Sequence, residues 1–364
     1  MQYTDIQGES LSRLGMGAMR LPTKGGSIDE EATQEIIDYA MARGVNYFDT
    51  AYIYHGGNSE TVLARCLRKY PRDSYHIATK FMIATGVTAK SVFEKQLRKM
   101  QLDYLDFYLV HSVMDLTRAV YTHSGAIEYL MKQKEAGRIR HLGFSSHMSP
   151  KNLRKFAAHH DWDFVLLQLN YQDWFDGTAA QLYDIACEFN LPIMVMEPLR
   201  GGKLVSLGEV GDAMLRAHSP ENSIPSWAFR FLMSKPQVKV VLSGMGALSQ
   251  IQDNARTFSE LGPLGQDELE LLEKAFRASH NPKLAPCTGC RYCTDNCPVQ
   301  IDIPAMMDLY NEAIDMRPAQ RSRHVRAALG PNTAEDCISC GVCTEHCPQS
   351  IDIPNIMERI NDFA

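Results

Sequence analysis

The chain has 364 residues, 45% of them hydrophobic and 22% charged, with a formal net charge of −6. That length holds one large domain plus a small one, and the composition is that of an ordinary globular chain. Mild acidity spread this thinly excludes a nucleic-acid surface or polybasic membrane anchor, no apolar run reaches the length of a membrane span, and the N-terminus lacks the basic-then-apolar pattern of a secretory signal.

Residues 1–282 alternate apolar strand-like runs with amphipathic segments, the pattern of a parallel α/β fold. Taken in order, the expected strands are Leu14–Gly17, Asn46–Asp49, Tyr75–Lys80, Phe107–His111, His141–Ser145, Val165–Leu169, Ile193–Glu197 and Val238–Ser243. Helices are expected between them, among others over Glu30–Arg43, Ser91–Lys99, Gly125–Ala136, Pro150–His159 and Ala179–Phe189, with Gly265–Ala278 closing the unit. Eight strands with crossover helices in about 250 residues is the size of a (β/α)8 TIM barrel. An open dinucleotide-binding sheet would want a full glycine fingerprint opening its first helix. Gly15-Met16-Gly17 is half of one, and Arg20-Leu21-Pro22 follows it instead of a helix.

Polar residues recur at the C-terminal ends of these strands: Asp49, Lys80, His111, Ser145 and Gln168, with Tyr54 five residues beyond Asp49. In a barrel those ends form the active-site mouth. A lysine beside a phenol stabilises its ionised form, a carboxylate holds that lysine charged, and a histidine donates to a developing oxyanion. The bland reading of Asp49 with Lys80 is a plain buried ion pair.

These residues sit in Phe48-Asp49-Thr50-Ala51-x-x-Tyr54, Ala78-Thr79-Lys80, Leu109-Val110-His111, Gly143-Phe144-Ser145-Ser146 and Gln168-Leu169-Asn170-Tyr171. Together with Ser243-Gly244 they make the chain, from Leu14 to about Asn254, resemble the aldo-keto reductases. The resemblance implies a catalytic tetrad of Asp49, Tyr54, Lys80 and His111, with hydride passing from a nicotinamide to a carbonyl while the tyrosine supplies the proton. It implies Ser145 and Gln168 as partners of the nicotinamide amide. It also places the pyrophosphate near Leu199–Gly202 and the adenine side near Ser243, Gly244, Gln250 and Asn254. His147 departs from a common asparagine, and Met196 from a common aromatic ring. Ser243–Asn254 contains no lysine to clamp a 2′-phosphate, so NAD and NADP both stay open.

Asn281-Pro282-Lys283 and Pro286 then break the pattern, and the expected division is 1–282 and 283–364. The tail is an internal repeat of period 50: Cys287-x2-Cys290-x2-Cys293-x3-Cys297-Pro298 returns as Cys337-x2-Cys340-x2-Cys343-x3-Cys347-Pro348. Ile301-Asp302-Ile303-Pro304 returns as Ile351-Asp352-Ile353-Pro354, each leading into a helix. This is the spacing of bacterial iron–sulfur ligation, in which the fourth cysteine serves the other cluster. It assigns Cys287, Cys290, Cys293 and Cys347 to one 4Fe–4S cluster, and Cys337, Cys340, Cys343 and Cys297 to the other. Zinc sites pair short knuckles of two ligands, and disulfides need an oxidising compartment; neither fits. The tail resembles a small α-helical dicluster ferredoxin. Cys66 and Cys187 read as packing residues, and the thiols point to a reducing cytoplasm with little oxygen.

The expected function is a nicotinamide-dependent oxidoreductase interconverting a small-molecule carbonyl and an alcohol, with the clusters carrying electrons to or from a ferredoxin-like partner. Clusters move one electron and nicotinamide moves two, so a flavin stays open although no signature for one is visible. The rival readings are a carbonyl reductase with structural clusters and a redox sensor or adaptor with little turnover. Arg317, Arg321, Arg323 and Arg326 either dock an acidic carrier or form a solvated helix face.

Overall fold

The computed structural model describes residues 1–83 and 86–364, so part of the Phe81–Ala89 loop lies outside the described residues. Eight strands close a barrel in chain order. They are β1 (Leu14–Gly17), β2 (Tyr47–Asp49), β3 (His76–Phe81), β4 (Leu105–Val113), β5 (Ile139–Ser146), β6 (Phe164–Gln168), β7 (Ile193–Met196) and β8 (Val238–Ser243). All pairings are parallel, and β8 meets β1 with Val241 opposite Leu14 and Ser243 opposite Met16. All eight expected strands are present, with ends that differ by at most two residues.

Parallel strands buried on both faces lose the inside-out alternation of polarity but keep the alternation of direction. Tyr47, Ala78, Phe107, Leu109, Phe164, Leu166, Met194, Val240 and Leu242 form the cluster inside the barrel. Their neighbours Phe48, Ile77, Tyr108, Val110, Val165, Leu167, Val195 and Val241 pack outward under the helices. An N-terminal antiparallel hairpin, Tyr3–Ile6 with Glu9–Ser12, adds Ile6 and Leu11 to the inner cluster and stoppers the end away from the mouth. Two glycines make the interior fit. A Cβ on Gly15 would lie 2.7 Å from Leu242 Cδ2, and one on Gly143 would lie 2.5 Å from the Phe164 carbonyl oxygen.

The outer helices include Glu30–Ala42, Ala89–Met100, Ala126–Glu135, Pro150–Ala157, Ala179–Glu188 and Gln266–Ser279, close to the expected spans. Two further short helices, Arg118–His123 and Tyr171–Asp176, follow β4 and β6. The second exists because Asn170 caps it, its side chain accepting from the Asp173 amide at 2.9 Å. Trp174 packs on Tyr183 and Phe231, and Phe175 on Phe231 and Phe276, so both are packing residues of this helix. Cys66 is buried and Cys187 half-buried.

The tail has its own apolar cluster around Ile303, Met307, Tyr310, Ile353, Met357 and Ile360. It carries helices Ile303–Ala313, Pro318–Ala328 and Ile353–Phe363, and Asp302 and Asp352 cap the first and last in the same way. Of the four arginines, Arg321 lies over the Phe363 ring and Arg326 binds the Ala364 carbonyl, while Arg317 and Arg323 face solvent. No described helix is long and apolar enough to cross a membrane.

Phe107 is the centre of the inner layer, stacked on His141 at 4.7 Å and meeting Tyr47 and Phe164 edge-on. Phe107→Ala should lower stability by about 3–5 kcal/mol through the cavity it leaves, read as a fall in denaturant midpoint without a change in slope.

Candidate active site and cluster sites

The inward phase of each strand decides which polar side chains meet. Asp49 follows Tyr47, Lys80 follows Ala78, His111 follows Leu109 and Gln168 follows Leu166, each two residues on along an inward row. All four therefore arrive inside the mouth, and Ser145 joins them two residues beyond Gly143. Backbone strain collects at the same rim. Ser112, at the C-terminal end of β4, and Glu197 and Arg200, just past β7, have φ values of 49°, 56° and 47°. Such left-handed conformations cost energy for residues other than glycine and cluster at working sites.

Lys80 is almost fully buried, its ammonium bonded to Asp49 Oδ1 and, at 2.7 Å, to the Thr50 carbonyl. Burial lowers the Lys80 pKa and raises that of Asp49, and their mutual attraction opposes both shifts. The ammonium stands 5.1 Å from the centre of the Tyr54 ring, which meets His111 edge-on at 5.9 Å. Burial pushes the Tyr54 phenol well above its ordinary range, with Tyr292 and Asp49 adding to the effect. Burial, with Lys80 nearby, drives His111 well below its usual value, so its imidazole is neutral. Its Nδ1 is sealed from solvent and has no hydrogen-bond partner among the described residues. The geometry is that of a phenol acid flanked by an ammonium and a neutral imidazole.

The four residues line one cavity of about 440 Å³. Ser145, Gln168, Leu199, Ser243, Gly244, Gln250 and Asn254 line it too, so every residue expected to touch nicotinamide nucleotide is brought there. Several are already engaged. Ser145 Oγ accepts from the Ser112 amide at 2.7 Å, Asn254 donates to Ser243 Oγ at 3.0 Å, and Gln250 accepts from the Gly246 amide at 2.8 Å. Gln168 is the exception to the expectation of an open amide. It donates to Asp173 Oδ2 at 2.7 Å and exchanges two hydrogen bonds, of 3.0 and 2.8 Å, with the side chain of Gln349 in the tail.

The tail thus forms one wall of the cavity, through Thr288, Cys290, Tyr292, Pro348 and Gln349. Arg20 donates to the Thr288 carbonyl at 3.0 Å, and Arg200 to the Pro286 carbonyl at 3.3 Å and Gln349 Oε1 at 3.0 Å. Glu197 adds a carboxylate whose Oε2 is sealed without a partner, its pKa raised by burial against the pull of Arg20. Sequence reasoning missed Arg20, Glu197, Arg200, Tyr292 and Gln349. One signal could have found the last two: where the repeat has Tyr292 and Gln349 its mates are Val342 and Val299.

Two small voids lie in the tail. Cys287, Cys290, Cys293 and Cys347 line one, and Cys297, Cys337, Cys340 and Cys343 line the other. This is the crossed grouping that the spacing implies, with apolar walls from Ile303, Met307, Ile353 and Met357. The donor set, four sulfurs per void, fits a 4Fe–4S cluster. Among the described residues no group of three His, Cys, Asp or Glu side chains is placed to hold a single metal ion.

Comparison with known proteins gives a match to the Aldo/keto reductase family over residues 13–277 and to a 4Fe-4S dicluster domain over residues 286–352. The chain is 27% identical over 228 residues to a probable aldo-keto reductase 1 of Glycine max, aligning 58% of this chain and spanning 64% of that protein's length. It is 26% identical to L-galactose dehydrogenase of Arabidopsis thaliana, covering 73% of this chain and 90% of that one. It is 23% identical to the NADH-specific methylglyoxal reductase of Escherichia coli, covering 69% and 90%. The holo form of aldo-keto reductase AKR11C1 from Bacillus halodurans superposes with a TM-score of 0.62 at 22% identity, covering 78% of this chain and 99% of that one.

Two outcomes test this geometry. Gly201 has φ +66°, and a Cβ there would lie 2.1 Å from the Thr288 carbonyl oxygen. Gly201→Ala should push the tail off the barrel, seen as faster release of the tail by limited proteolysis. Burial depresses His147 to about 4, below the roughly 6.5 of an unfolded histidine, so its neutral form favours the fold. That contribution is full above pH 6.5 and is lost as pH falls toward 4. The decline in melting temperature over that window should be shallower in His147→Asn.

Proposed function

Since the chain belongs to the aldo/keto reductase family, an oxidoreductase family, and carries a 4Fe-4S dicluster domain, we propose that it interconverts a small carbonyl and an alcohol with NADH or NADPH, and that its clusters exchange electrons with that site. The observation that carries this reading is the single cavity shared by Asp49, Tyr54, Lys80 and His111 with the cluster-loop residues Cys290 and Pro348. We take residues 1–282 as the catalytic unit and 283–364 as the electron-carrying one.

When bound, the nucleotide supplies hydride, and the clusters supply or remove single electrons. The chain's own residues do the rest. Neutral His111 and the Tyr54 hydroxyl flank the carbonyl oxygen and fix its direction. Tyr54 gives its proton to that oxygen as charge develops there, and Lys80 stabilises the phenolate left behind. Asp49 keeps the ammonium in place from below. Ser145, Ser243, Gly244, Gln250 and Asn254 hold the nucleotide, and Leu199 marks the pyrophosphate side. Gln168 serves the nicotinamide only through, or after displacement of, Gln349.

Cys287, Cys290, Cys293 and Cys347 hold the cluster at the cavity wall. Cys297, Cys337, Cys340 and Cys343 hold the outer one, where Cys340 is exposed and Ile338 is 63% exposed. An acceptor or donor of the ferredoxin type meets the protein there, in a cytoplasmic setting.

Tyr54→Phe should cut carbonyl reduction at least about 100-fold with little change in nucleotide affinity, checked by steady-state kinetics on methylglyoxal with each nucleotide. An unchanged rate would sink the acid role of Tyr54. Replacing Cys290 and Cys347 together by serine should halve iron and labile sulfide, whereas full retention would refute their assignment to one cluster.

A further inference from the structure

Gln349 borders three spaces at once. It lines the cavity of the catalytic residues and the void of Cys287, Cys290, Cys293 and Cys347. It also lines a second cavity between barrel and tail, of about 580 Å³, which lies beside the ends of β4, β5 and β6 at Met114, Ser146 and Gln168. His147, Gln168, Pro348 and Gln349 line both cavities, so these side chains form the partition between them. An amide pair closes that partition. Gln168 Nε2 donates to Gln349 Oε1 at 3.0 Å, and Gln349 Nε2 donates back to Gln168 Oε1 at 2.8 Å. Arg200 donates to the same Gln349 oxygen at 3.0 Å.

We propose that Gln349 is a gate: the primary amide of a nicotinamide nucleotide displaces it from Gln168, the freed side chain turns into the second cavity, and the surroundings of the inner cluster change. The inference rests on the reading above that Gln168 meets the nicotinamide. Hydrogen-bond counting makes the two amides rivals. Gln168 has two N–H donors, and both are used, one on Gln349 and one on Asp173 Oδ2 at 2.7 Å. A second amide forms the reciprocal pair only by taking the place of Gln349. The exchange is close to balanced, because the Gln349 side chain and the nicotinamide carboxamide are the same functional group. The displaced chain has room, since Gln349 already lines the second cavity and rotation about its own side-chain bonds suffices. Arg200 lines that cavity too, so the nitrogen that Gln349 leaves finds water there. Pinning the tail does not by itself explain the pair, because Arg20 and Arg200 already hold the Thr288 and Pro286 carbonyls. Nor does iron ligation, because the mate of Gln349 in the repeat is Val299.

The gate gives the nucleotide a route of influence on the iron. Gln349 stands two residues beyond Cys347 and borders the void of that cluster. Hydrogen bonding and solvent access around a cluster tune it, and moving a primary amide off the wall changes both. Linkage makes the effect reciprocal: whatever the nucleotide does to the inner cluster, the state of that cluster does to nucleotide affinity by the same factor. A closed gate also weakens apparent binding by the fraction of molecules in which it is shut. It selects for the amide as well. A carboxylate in that position has no N–H for Gln168 Oε1 and is repelled by Asp173, so it leaves Gln349 in place.

The test uses the full chain loaded with iron and sulfide, in three forms: unaltered, Gln349→Ala and Gln349→Met. Calorimetry measures binding of NAD+, NADP+, ADP and the deamidated dinucleotide that carries a carboxylate in place of the carboxamide. Both variants should bind the preferred nicotinamide nucleotide about tenfold more tightly than the unaltered protein does, with ADP affinity within about twofold. The unaltered protein should bind the deamidated dinucleotide more weakly than NAD+. A second readout needs no variant: NADH added to the dithionite-reduced, unaltered protein should change its low-temperature EPR signal, and ADP should not. Unchanged nicotinamide nucleotide affinity in the variants, equal tightening toward ADP, equal affinity for the deamidated dinucleotide, or an EPR signal indifferent to NADH would each overturn the gate. If Gln349→Ala loses iron, Gln349→Met, of nearly the same length, decides together with the EPR comparison. If neither NAD+ nor NADP+ binds any form, the nicotinamide reading itself fails and the gate goes with it.

Discussion

Arg200 joins the two halves of this molecule. Its guanidinium is nearly buried, and a buried charge is tolerable only when its donors are satisfied. Nε binds Asp173 Oδ1 at 2.8 Å, and the other two nitrogens reach across to the Pro286 carbonyl and Gln349 Oε1. Asp173 in turn holds the amides of Gln168 and Asn170. One cation therefore ties the end of β6, the rim after β7 and both ends of the tail's inner cluster site into a single network. Removing either side would strand a charge, which costs several times more than a surface contact contributes. The tail is fastened at the mouth because the barrel's rim has been built to need it.

The second buried cation, Lys80, sits at the centre of the same mouth and obeys the same constraint with a different result. Among the described residues Lys80 donates to Asp49 and to the Thr50 carbonyl, and Asp49 Oδ2 has no hydrogen-bond partner. A hydrophobic pair of similar volume would be at least as stable there, since desolvation offsets much of the Coulomb attraction. An incompletely satisfied ion pair beneath a phenol makes sense as chemistry held ready more than as a support for the fold. In Arg200, by contrast, each of the three guanidinium nitrogens has an acceptor.

The barrel was legible in the sequence because period and composition agreed. Continuous apolar runs ended in polar residues, and the inward phase of Tyr47, Ala78 and Leu109 carried Asp49, Lys80 and His111 to the mouth. The cluster cysteines were legible because ligand spacing is local. What lay hidden was whatever joined residues far apart in the chain: Arg20 with Thr288, Gln168 with Gln349, His111 with Tyr292. Gln168 shows the limit most plainly. Its position at the end of β6 was readable, but the amide that occupies it lies 181 residues away. The short helix Tyr171–Asp176 is only six residues long and starts at its cap, Asn170, two residues beyond the end of β6. Trp174 and Phe175 likewise find their packing partners, Tyr183, Phe231 and Phe276, only through the fold.

The repeat itself concealed the most informative difference. Two cysteine runs with one spacing suggest two equivalent cluster sites, yet the folded protein gives them unequal surroundings. Thr288 is buried with its carbonyl on Arg20, while its mate Ile338 is 63% exposed. Tyr292 and Gln349 reach into the barrel, and their mates Val342 and Val299 do not line its cavity. Thr288, Tyr292 and Gln349, which line the barrel cavity, all stand at positions where the two halves of the repeat differ. Selection for iron binding alone would leave those positions interchangeable between the two loops, because none of them is a ligand. They gather around the void lined by Cys287, Cys290, Cys293 and Cys347, on the side that faces the rim of the cavity lined by Tyr54. The order of the two sites follows from that asymmetry: the inner one borders the cavity that Tyr54 lines, and the outer one, through exposed Cys340, borders solvent.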